Sequence, residues 1–211
     1  MTNDSPDLES AYDLKTADDH RRLYGDWAGT YDRDFIAASG YFLADKVAEA
    51  VVAAGGRGPV LDVGAGTGRV AEVLQALGVG PVDGLDISPE MLAVASARGL
   101  YRETIVADFT ESLPPGVGGY ASVVAAGVFT HGHLGPGALP AMLDVAAPGA
   151  TVAIAVNAAH WDAMGFGPAF AALSARLEIL SAPLVRIYAE DAGGPHGDDM
   201  AHIVTARTPG G

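Results

Sequence analysis

The chain has 211 residues, enough for one sizeable hydrophobic core and short for two domains. It carries 26 acidic and 12 basic side chains, and the resulting net charge of −14 repels phosphate backbones and anionic lipid headgroups. We therefore expect neither nucleic acid nor a membrane surface as a partner. The absence of cysteine excludes disulfides, thiolate metal sites and cysteine nucleophiles.

The amino-terminal stretch "MTNDSPDLESAYD" is acidic and lacks the apolar core of a secretory signal. No apolar run reaches the roughly 18 residues that cross a bilayer without a break. We interpret the chain as a cytoplasmic protein with a single domain over 1–211, and no pattern indicates an oligomeric state.

From about residue 15 to residue 54 the pattern is helical. The stretch "DDHRRLYGDWAGTYDRDF" is amphipathic with aromatics near helical spacing, and "YFLADKVAEAVVAAG" is apolar at three- and four-residue steps. Short β-branched runs and helical stretches then alternate, which predicts parallel strands joined by right-handed crossovers. The last two strands, "RLEILSAPLVRIYA" and "MAHIVTAR", predict an antiparallel pair at the sheet edge.

Three glycines, Gly64, Gly66 and Gly68, lie between the first strand and the next helix in "VLDVGAGTGRV". Glycines cluster in this way where a backbone approaches a ligand closely. A dinucleotide-binding turn would have a glycine where Arg69 stands, and a phosphate-binding Walker loop would continue with Gly-Lys-Ser/Thr. At this point a tight turn that holds no ligand remains an alternative.

The next two strands end in carboxylates. The segment "VDGLDISPEML" ends its strand at Asp86 and opens a helix with Ser88 as N-cap and Pro89 in the first turn. Asp86 can accept hydrogen bonds from two ribose hydroxyls, and Asp108 can accept one from an exocyclic amine while Phe109 lies near a purine. Each carboxylate alone could be a solvated charge at a strand end. Together with the glycine turn they predict an adenosine site at the carboxyl edge of the sheet.

The segments "VLDVGAGTG", "VDGLDISPEML", "VADF" and "LDVAAPGATVAIAV" resemble, in order and spacing, the signature segments of class I S-adenosylmethionine-dependent methyltransferases. The similarity extends over about 27–207. Within this superfamily, "GDWAGTYDRDF" and "AAGVFTHGHLGP" are most similar to the small methyltransferases related to the Williams-Beuren syndrome region protein. The resemblance implies an α/β fold, a Rossmann-like three-layer sandwich with a seven-stranded, mostly parallel sheet and a C-terminal antiparallel hairpin. A helical lid over about 15–54 would precede a core over 57–207.

The resemblance also implies S-adenosylmethionine as cofactor, S-adenosylhomocysteine as product, and a role for individual residues. The glycine turn would follow the methionine part, Asp86 would hold the ribose, and Gly127 would pass close to the sulfonium or carboxylate. An aromatic lid would cover the cofactor, with the alternative that its residues pack as a helix face against the core. The methionine-part residues are Asp62, Gly64, Ala65, Gly66, Thr67 and Gly68; those around the adenine are Ile87, Met91, Asp108 and Phe109; the lid residues are Tyr24, Trp27 and Tyr31. In "APGA", Ala150 replaces a glycine that many relatives have, and we expect it to alter a turn without touching the cofactor.

Two histidines in "GVFTHGHLGP", His131 and His133, follow the fourth strand beside the predicted methyl position. Either could take a proton from a hydroxyl or an amine, or could instead cap the next helix or bond to the backbone. As a metal pair they lack an evident third ligand, because Asp198, Asp199 and His202 are far away in sequence. We expect no metal.

The sequence thus predicts a methyltransferase that aligns a small-molecule acceptor with the cofactor for in-line displacement, mainly by proximity. After the fifth strand, His160, Trp161 and Phe166 could line the acceptor pocket or belong to the core. A non-catalytic S-adenosylmethionine-binding protein remains an alternative, because a cofactor site does not establish turnover. A nicotinamide-dependent oxidoreductase is disfavoured by Arg69 and by the "ADF" segment.

Overall fold

The computed structural model describes residues 17–31, 40–130, 132–189 and 196–211. The strands of these residues form one sheet. They are β1 (Val60–Val63), β2 (Val82–Asp86), β3 (Thr104–Val106), β4 (Tyr120–Phe129), β5 (Ala146–Asn157), β6 (Glu178–Ser181), β7 (Leu184–Arg186) and β8 (Met200–Arg207). Their order is β3-β2-β1-β4-β5-β8-β6, and β7 also pairs with β8. Strands β1 to β5 pair in parallel, whereas β8 is antiparallel to β5, β6 and β7. The predicted α/β fold is therefore confirmed.

Helices precede the sheet and connect β1 to β2, β2 to β3 and β4 to β5, as the alternating pattern predicts. They are α1 (Ala17–Trp27), α2 (Leu43–Ala53), α3 (Arg69–Ala76), α4 (Pro89–Ala97), α5 (Leu139–Val145), α6 (Ala158–Met164) and α7 (Phe166–Ala172), with a short 3₁₀ turn at Pro136–Ala138. In the described part of the chain, no helix has the length and apolarity needed to span a membrane.

The segment expected as a single sixth strand is divided into β6 and β7 around Pro183. Proline has no backbone N–H to donate to a ladder, although its carbonyl still accepts from the Ile203 N–H at 3.0 Å. Both pieces pair with β8, so the described residues contribute eight strands to the sheet, where seven were expected.

Two hydrophobic cores cover the two faces of the sheet. Successive residues of a strand point to opposite faces, so Val60 packs in the core with α2 and α3 while Leu61 packs in the core with α5 and α7. This is the three-layer arrangement, and it explains why the central strands have continuous apolar runs.

Local hydrogen bonds fix segments next to the strands of the sheet. Ser88 caps α4 as predicted, because its Oγ accepts from the Met91 N–H at 3.2 Å, an interaction typically worth about 1 kcal/mol. Ala150 lies buried in β5, where its N–H donates to Thr208 Oγ1 at 2.8 Å. It forms no part of the cavity described next.

Candidate active site

A cavity of about 350 Å³ lies at the carboxyl ends of β1, β2, β3 and β4, next to α1. The strand order reverses between β1 and β4, and open α/β sheets bind ligands at such a point. Most residues predicted to bind the cofactor line this cavity: Tyr24, Tyr31, Gly64, Ala65, Gly66, Thr67, Asp86, Ile87, Met91, Asp108, Phe109 and Gly127. The wall does not include the predicted residues Trp27, Asp62 and Gly68.

The glycine turn after β1 is fixed by backbone hydrogen bonds to the end of β2. The N–H groups of Gly64 and Ala65 donate to the Leu85 carbonyl at 2.8 and 3.0 Å. Gly64 has a φ of +72°, and a Cβ there would overlap the Val128 side chain. At Gly66, with a φ of +52°, a Cβ would meet nothing within 4 Å, because this glycine faces the cavity. The turn therefore presents bare backbone to open space, which suits close approach of a ligand.

Asp86 joins the glycine turn to the start of α4. Its Oδ2 accepts from the Gly66 N–H and its Oδ1 from the Ser88 N–H, both at 2.8 Å. Burial raises the pKa of Asp86, and the hydrogen bonds from Ser88 and Gly66 act against that rise. Each carboxylate oxygen has a further lone pair, so Asp86 can also accept hydroxyl donors from the cavity.

The segment after β3 brings Asp108 and Phe109 to the same wall. Asp108 Oδ1 accepts from the Thr110 N–H at 2.8 Å and from Thr110 Oγ1 at 2.6 Å, a local turn that fixes the carboxylate. Phe109 is buried in one hydrophobic core and also contributes to the cavity wall. The arrangement provides an apolar surface beside a hydrogen-bond acceptor, as a purine site requires.

Asp62 lies beneath the glycine turn instead of along its cavity side. It is fully buried, and its Oδ2 accepts from the Tyr101 hydroxyl at 2.7 Å, while Oδ1 has no hydrogen-bond partner among the described residues. Burial raises the pKa of Asp62 to about 7, the Tyr101 hydrogen bond lowers it, and the neighbouring Asp86 carboxylate raises it further.

Tyr101 was not predicted from the sequence as a site residue. Its hydroxyl also contacts the Ala65 carbonyl at 3.3 Å and so ties Asp62 to the glycine turn. The sequence feature that could have indicated this contact is Gly84, a glycine inside β2. A Cβ at that position would lie 2.9 Å from the Tyr101 ring. Glycine in a strand often marks such a close approach, but the sequence does not say which side chain approaches.

The aromatic residues of the predicted lid divide between the cavity and the core. Tyr24 and Tyr31 line the cavity, and their ring centroids are 6.0 Å apart. Trp27 is only 2% exposed and packs in the core with α2, its ring edge-on to Tyr31 at 5.1 Å. Trp27 therefore packs against the core as part of a helix face, which was the alternative to a role in the lid. Burial of its large apolar ring stabilises this arrangement.

His133 lines the cavity, whereas His131 lies outside the described residues. His133 Nε2 is 3.1 Å from the Tyr24 hydroxyl oxygen, and its backbone N–H donates to the Thr130 carbonyl at 3.1 Å. The candidate base therefore contacts a residue of the candidate lid.

The three residues considered for an acceptor pocket after β5 do not line this cavity. His160 is buried, and its Nε2 is 3.0 Å from the Leu134 carbonyl oxygen. Phe166 is fully buried edge-on to Phe129 at 5.8 Å, and Trp161 stacks on Phe166 at 5.9 Å. The alternative, that they belong to the core, is the one the structure shows, because aromatic packing covers this face of the sheet.

Among the cavity residues that were not assigned to the site from the sequence are Tyr41 and Arg69. Tyr41 precedes α2, and burial together with the neighbouring Tyr188 raises the pKa of its hydroxyl. Arg69, considered only as a mismatch to a dinucleotide turn, lines the cavity and pairs with Asp45 at 2.5 Å and Glu72 at 2.9 Å. The position of Arg69 directly after the glycine turn is the sequence feature that could have assigned it to the site.

The residues considered as additional metal ligands are engaged elsewhere. Asp198 pairs with Arg186 at 2.9 Å, and Asp199 lies 3.2 Å from His196 Nδ1. His202 is near Trp161, with ring centroids 4.6 Å apart. Over the ranges that the structure describes, no three potential ligands from histidine, aspartate and glutamate lie together.

Comparison with protein families matches residues 60–149 to a family described as "Methyltransferase domain". Methyltransferase-like protein 27 from Homo sapiens is 34% identical over 138 residues, which cover 63% of this chain and 55% of the human protein. The chain thus spans about half the length of the curated relative that it matches.

Solved structures share the fold at lower identity. The [4+2]-cyclase SpnF has a TM-score of 0.69 at 19% identity and covers 94% of this chain and 98% of its own. Magnesium protoporphyrin IX methyltransferase (ChlM) from Synechocystis, solved with bound SAH, has a TM-score of 0.62 at 16% identity and covers 91% of this chain and 99% of its own. The likeness extends over nearly the whole described chain.

Proposed function

We propose that the chain is a class I S-adenosylmethionine-dependent methyltransferase and that it transfers a methyl group from that cofactor to a small-molecule acceptor in the cavity beside the glycine turn. The observation that carries this proposal is the convergence of the glycine turn, Asp86 and the Asp108–Phe109 pair on one cavity wall. The similarity to the [4+2]-cyclase SpnF indicates that this fold also accommodates other chemistry. The proposal therefore depends on the residues of the site and not on the fold alone.

The described residues suit the cofactor part by part. Asp86 would accept from the ribose hydroxyls with the lone pairs left beside its two backbone bonds. Ile87 and Met91 would flank the adenine, and the Asp108–Phe109 pair would contact its edge and face. The bare backbone at Gly66 would let the methionine part approach the turn closely. Gly127 lines the wall where the sulfonium end would lie.

When bound, S-adenosylmethionine supplies a methyl carbon to which the acceptor atom donates an electron pair while the carbon–sulfur bond pair leaves with sulfur. The chain has to align the acceptor and exclude water, and such alignment can supply much of the rate. Tyr24 and Tyr31 would cover the site with aromatic surface, which also favours a sulfonium cation. His133 would accept a proton from an acceptor that arrives protonated.

A small-molecule acceptor is supported by the charge of the protein. The net charge of −14 disfavours a nucleic acid acceptor, while the cavity of about 350 Å³ is in the size range of a site for a small molecule such as the cofactor. A cytoplasmic location, a single domain over 1–211 and the absence of a membrane partner belong to the same proposal.

Calorimetric titration of the purified protein with S-adenosylmethionine, S-adenosylhomocysteine and NAD in parallel tests the cofactor. We expect micromolar binding of the first two and none of NAD; binding of NAD alone would replace the proposal with an oxidoreductase. Transfer of labelled methyl groups to a panel of small hydroxyl and amine compounds then tests turnover. Binding without transfer to any compound, in a protein whose cavity has no room beside the cofactor, would indicate a non-catalytic binding protein.

A further inference from the structure

Asp62, the Tyr101 hydroxyl and the Ala65 carbonyl form a buried relay that ends in the glycine turn. Tyr101 Oη is 2.7 Å from Asp62 Oδ2 and 3.3 Å from the Ala65 carbonyl oxygen. Asp62 is fully buried, and Ala65 is 5% exposed and lines the cavity. Because the hydroxyl has a single hydrogen, it can donate fully to only one of these two acceptors at a time.

The protonation state of Asp62 decides which acceptor receives this hydrogen. An ionised carboxylate can only accept, so Tyr101 then donates to Asp62 Oδ2. A neutral carboxyl group has to donate its own proton. Oδ1 has no hydrogen-bond partner among the described residues, whereas Oδ2 has Tyr101 Oη at 2.7 Å, so the proton belongs on Oδ2. The Tyr101 hydrogen then turns to the Ala65 carbonyl, and the glycine turn gains a donor.

The groups that face Asp62 from the sheet and from the segment before α2 bring no positive charge. Burial and the Asp86 carboxylate raise the pKa of Asp62, and the Tyr101 hydrogen bond lowers it, with a result of about 7. Val124, the neighbour of Asp62 on β4, is apolar. Tyr41, which precedes α2, has a hydroxyl whose pKa is raised by burial, so this group stays neutral.

The cations on the neighbouring helices are paired with other carboxylates. Arg69, at the start of α3, pairs with Asp45 of α2 at 2.5 Å and with Glu72 at 2.9 Å. Arg98, at the end of α4, also pairs with Glu72 at 2.9 Å. Throughout the part of the chain that the structure describes, no cation contacts the Asp62 carboxyl group. Its charge therefore remains available to act on a ligand at the glycine turn.

S-adenosylmethionine and S-adenosylhomocysteine present this carboxyl group with different charges on similar shapes. The sulfur is a cationic sulfonium in the first compound and a neutral thioether in the second. A buried negative charge attracts a cation through a medium of low dielectric constant, even without direct contact. An ionised Asp62 therefore favours the sulfonium compound, whereas a neutral Asp62 does not distinguish the two by charge.

We propose that Asp62 is a specificity-determining residue whose ionisation makes the site prefer the cationic cofactor to its neutral product, while Tyr101 transmits the change to the glycine turn. The inference rests on the proposed function. When Asp62 ionises, its Oδ2–H bond breaks, the electron pair stays on Oδ2 and the proton leaves to bulk water. The Tyr101 hydrogen turns from the Ala65 carbonyl to Asp62. Once the methyl group has been transferred, the sulfonium charge is gone and Asp62 takes up a proton again.

Calorimetric titration with both S-adenosyl compounds between pH 5 and pH 8 tests the inference. We follow the Kd of S-adenosylhomocysteine divided by the Kd of S-adenosylmethionine. In the wild type this ratio should rise about fivefold with pH, the order of magnitude of one charge acting through a partly hydrated interior. The rise should occur around the pH at which Asp62 ionises, about 7.

Asp62→Asn should keep the low-pH ratio of the wild type at every pH. Asparagine is uncharged, and its amide N–H can donate to Tyr101 Oη as the neutral carboxyl group does. Titration of the ligands themselves and of His133, an imidazole on the cavity wall, is common to both proteins, so it does not separate them. Asp144→Asn, which removes a carboxylate whose side chain is 68% exposed, should match the wild type.

Tyr101→Phe provides a second variant if Asp62→Asn fails to fold. Loss of the hydroxyl removes the hydrogen bond that lowers the pKa of Asp62, so the rise of the ratio should move to higher pH. Three results overturn the inference: a wild-type ratio that does not change with pH, the wild-type rise retained in Asp62→Asn, or an unshifted rise in Tyr101→Phe.

Failure of the proposed function has a different signature in the same titrations. If neither S-adenosyl compound binds at any pH, the proposed function fails and the inference fails with it. If both bind with a ratio that is independent of pH, the proposed function stands and only the inference fails.

Discussion

Two buried aspartates on neighbouring strands have opposite surroundings. Asp62 on β1 and Asp83 on β2 are 0% and 1% exposed, and each accepts a hydrogen bond from a tyrosine hydroxyl, Tyr101 at 2.7 Å and Tyr120 at 3.0 Å. Asp83 also accepts from the Arg102 guanidinium at 2.9 and 2.5 Å. Among the described residues no cation contacts Asp62, and its Oδ1 has no hydrogen-bond partner.

The difference separates a carboxylate whose charge the chain neutralises from one whose charge it leaves without a cation. The chain itself neutralises the charge of Asp83, away from the cavity. Asp62 lies under the glycine turn with its pKa raised to about 7 by burial, so the folded protein bears the cost of an unneutralised carboxyl group. Under the proposed function, Asp62 would act on the cofactor only through its charge, from beneath the glycine turn and without lining the cavity.

The largest effect is expected from Asp83→Ala. The substitution leaves the buried Tyr120 hydroxyl without its acceptor, whereas the Arg102 guanidinium, whose side chain is 48% exposed, can be solvated by water. The loss of stability therefore comes mainly from the buried hydroxyl and from the space that the carboxylate vacates. Urea denaturation should show this loss, while the fraction that remains folded binds S-adenosylmethionine as the wild type does. Loss of cofactor affinity at unchanged stability would reverse the roles of the two aspartates.

Asp62→Asn should have the opposite effect on stability from Asp83→Ala. Because the pKa of Asp62 lies at about 7 when folded and near 3.8 when unfolded, only the folded state keeps this proton between these pH values. Stability therefore falls as pH rises from about 4 to about 7 and stays reduced above that window. Asparagine carries no such proton, so the variant should lack this slope and be more stable at pH 8 by on the order of 2–4 kcal/mol.

Thermal and urea unfolding at pH 5 and pH 8 measure this slope, with Asp144→Asn as the control for an exposed carboxylate. The same Asp62→Asn variant should bind S-adenosylmethionine more weakly, since the negative charge is gone. A variant that retains the pH slope of the wild type would show that Asp62 is not the origin of it.

Features that depend on residues close together in the chain could be predicted from the sequence, whereas contacts between distant residues could not. The glycine turn, the Ser88 cap and the carboxylate at Asp86 are set by residues close together in the chain, so their types and spacing predicted them. The Tyr101–Asp62 and Tyr24–His133 contacts join residues 39 and 109 positions apart, and no local pattern specifies such pairs.

Helical periodicity likewise did not separate the two outcomes at the lid. Tyr24 and Trp27 are three positions apart and lie on the same side of α1, yet one lines the cavity and the other packs in the core. Which residue faces the cavity depends on how α1 packs against α4 and the core that contains α2, and that is a property of the assembled fold.

Asp86→Ala tests a third carboxylate, one that faces the cavity and has backbone partners on both oxygens. Removing it eliminates the expected ribose contacts and releases the Gly66 and Ser88 N–H groups. Affinity for S-adenosylmethionine should fall by on the order of 1.5–3 kcal/mol in calorimetry, as for charge-assisted hydrogen bonds. Asp86→Asn, which can accept from one of the two N–H groups, should lose less, and equal affinity in all three proteins would contradict the assignment.

The smallest and most discriminating effect is expected from the tyrosine partners, Tyr101→Phe and Tyr120→Phe. Each removes one hydroxyl that donates to a buried carboxylate, so each should lose about 1 kcal/mol of stability at pH 8. Only Tyr101→Phe should also weaken cofactor binding, because the Tyr101 hydroxyl links Asp62 to the Ala65 carbonyl in the glycine turn. The Tyr101 hydrogen bond lowers the pKa of Asp62, so its removal should raise that pKa. The fall of stability with pH should therefore extend to higher pH in Tyr101→Phe. Parallel calorimetry and unfolding of the two variants decide the matter: equal effects on affinity would mean that the two Tyr–Asp pairs are both structural and that Asp62 contributes nothing to the site.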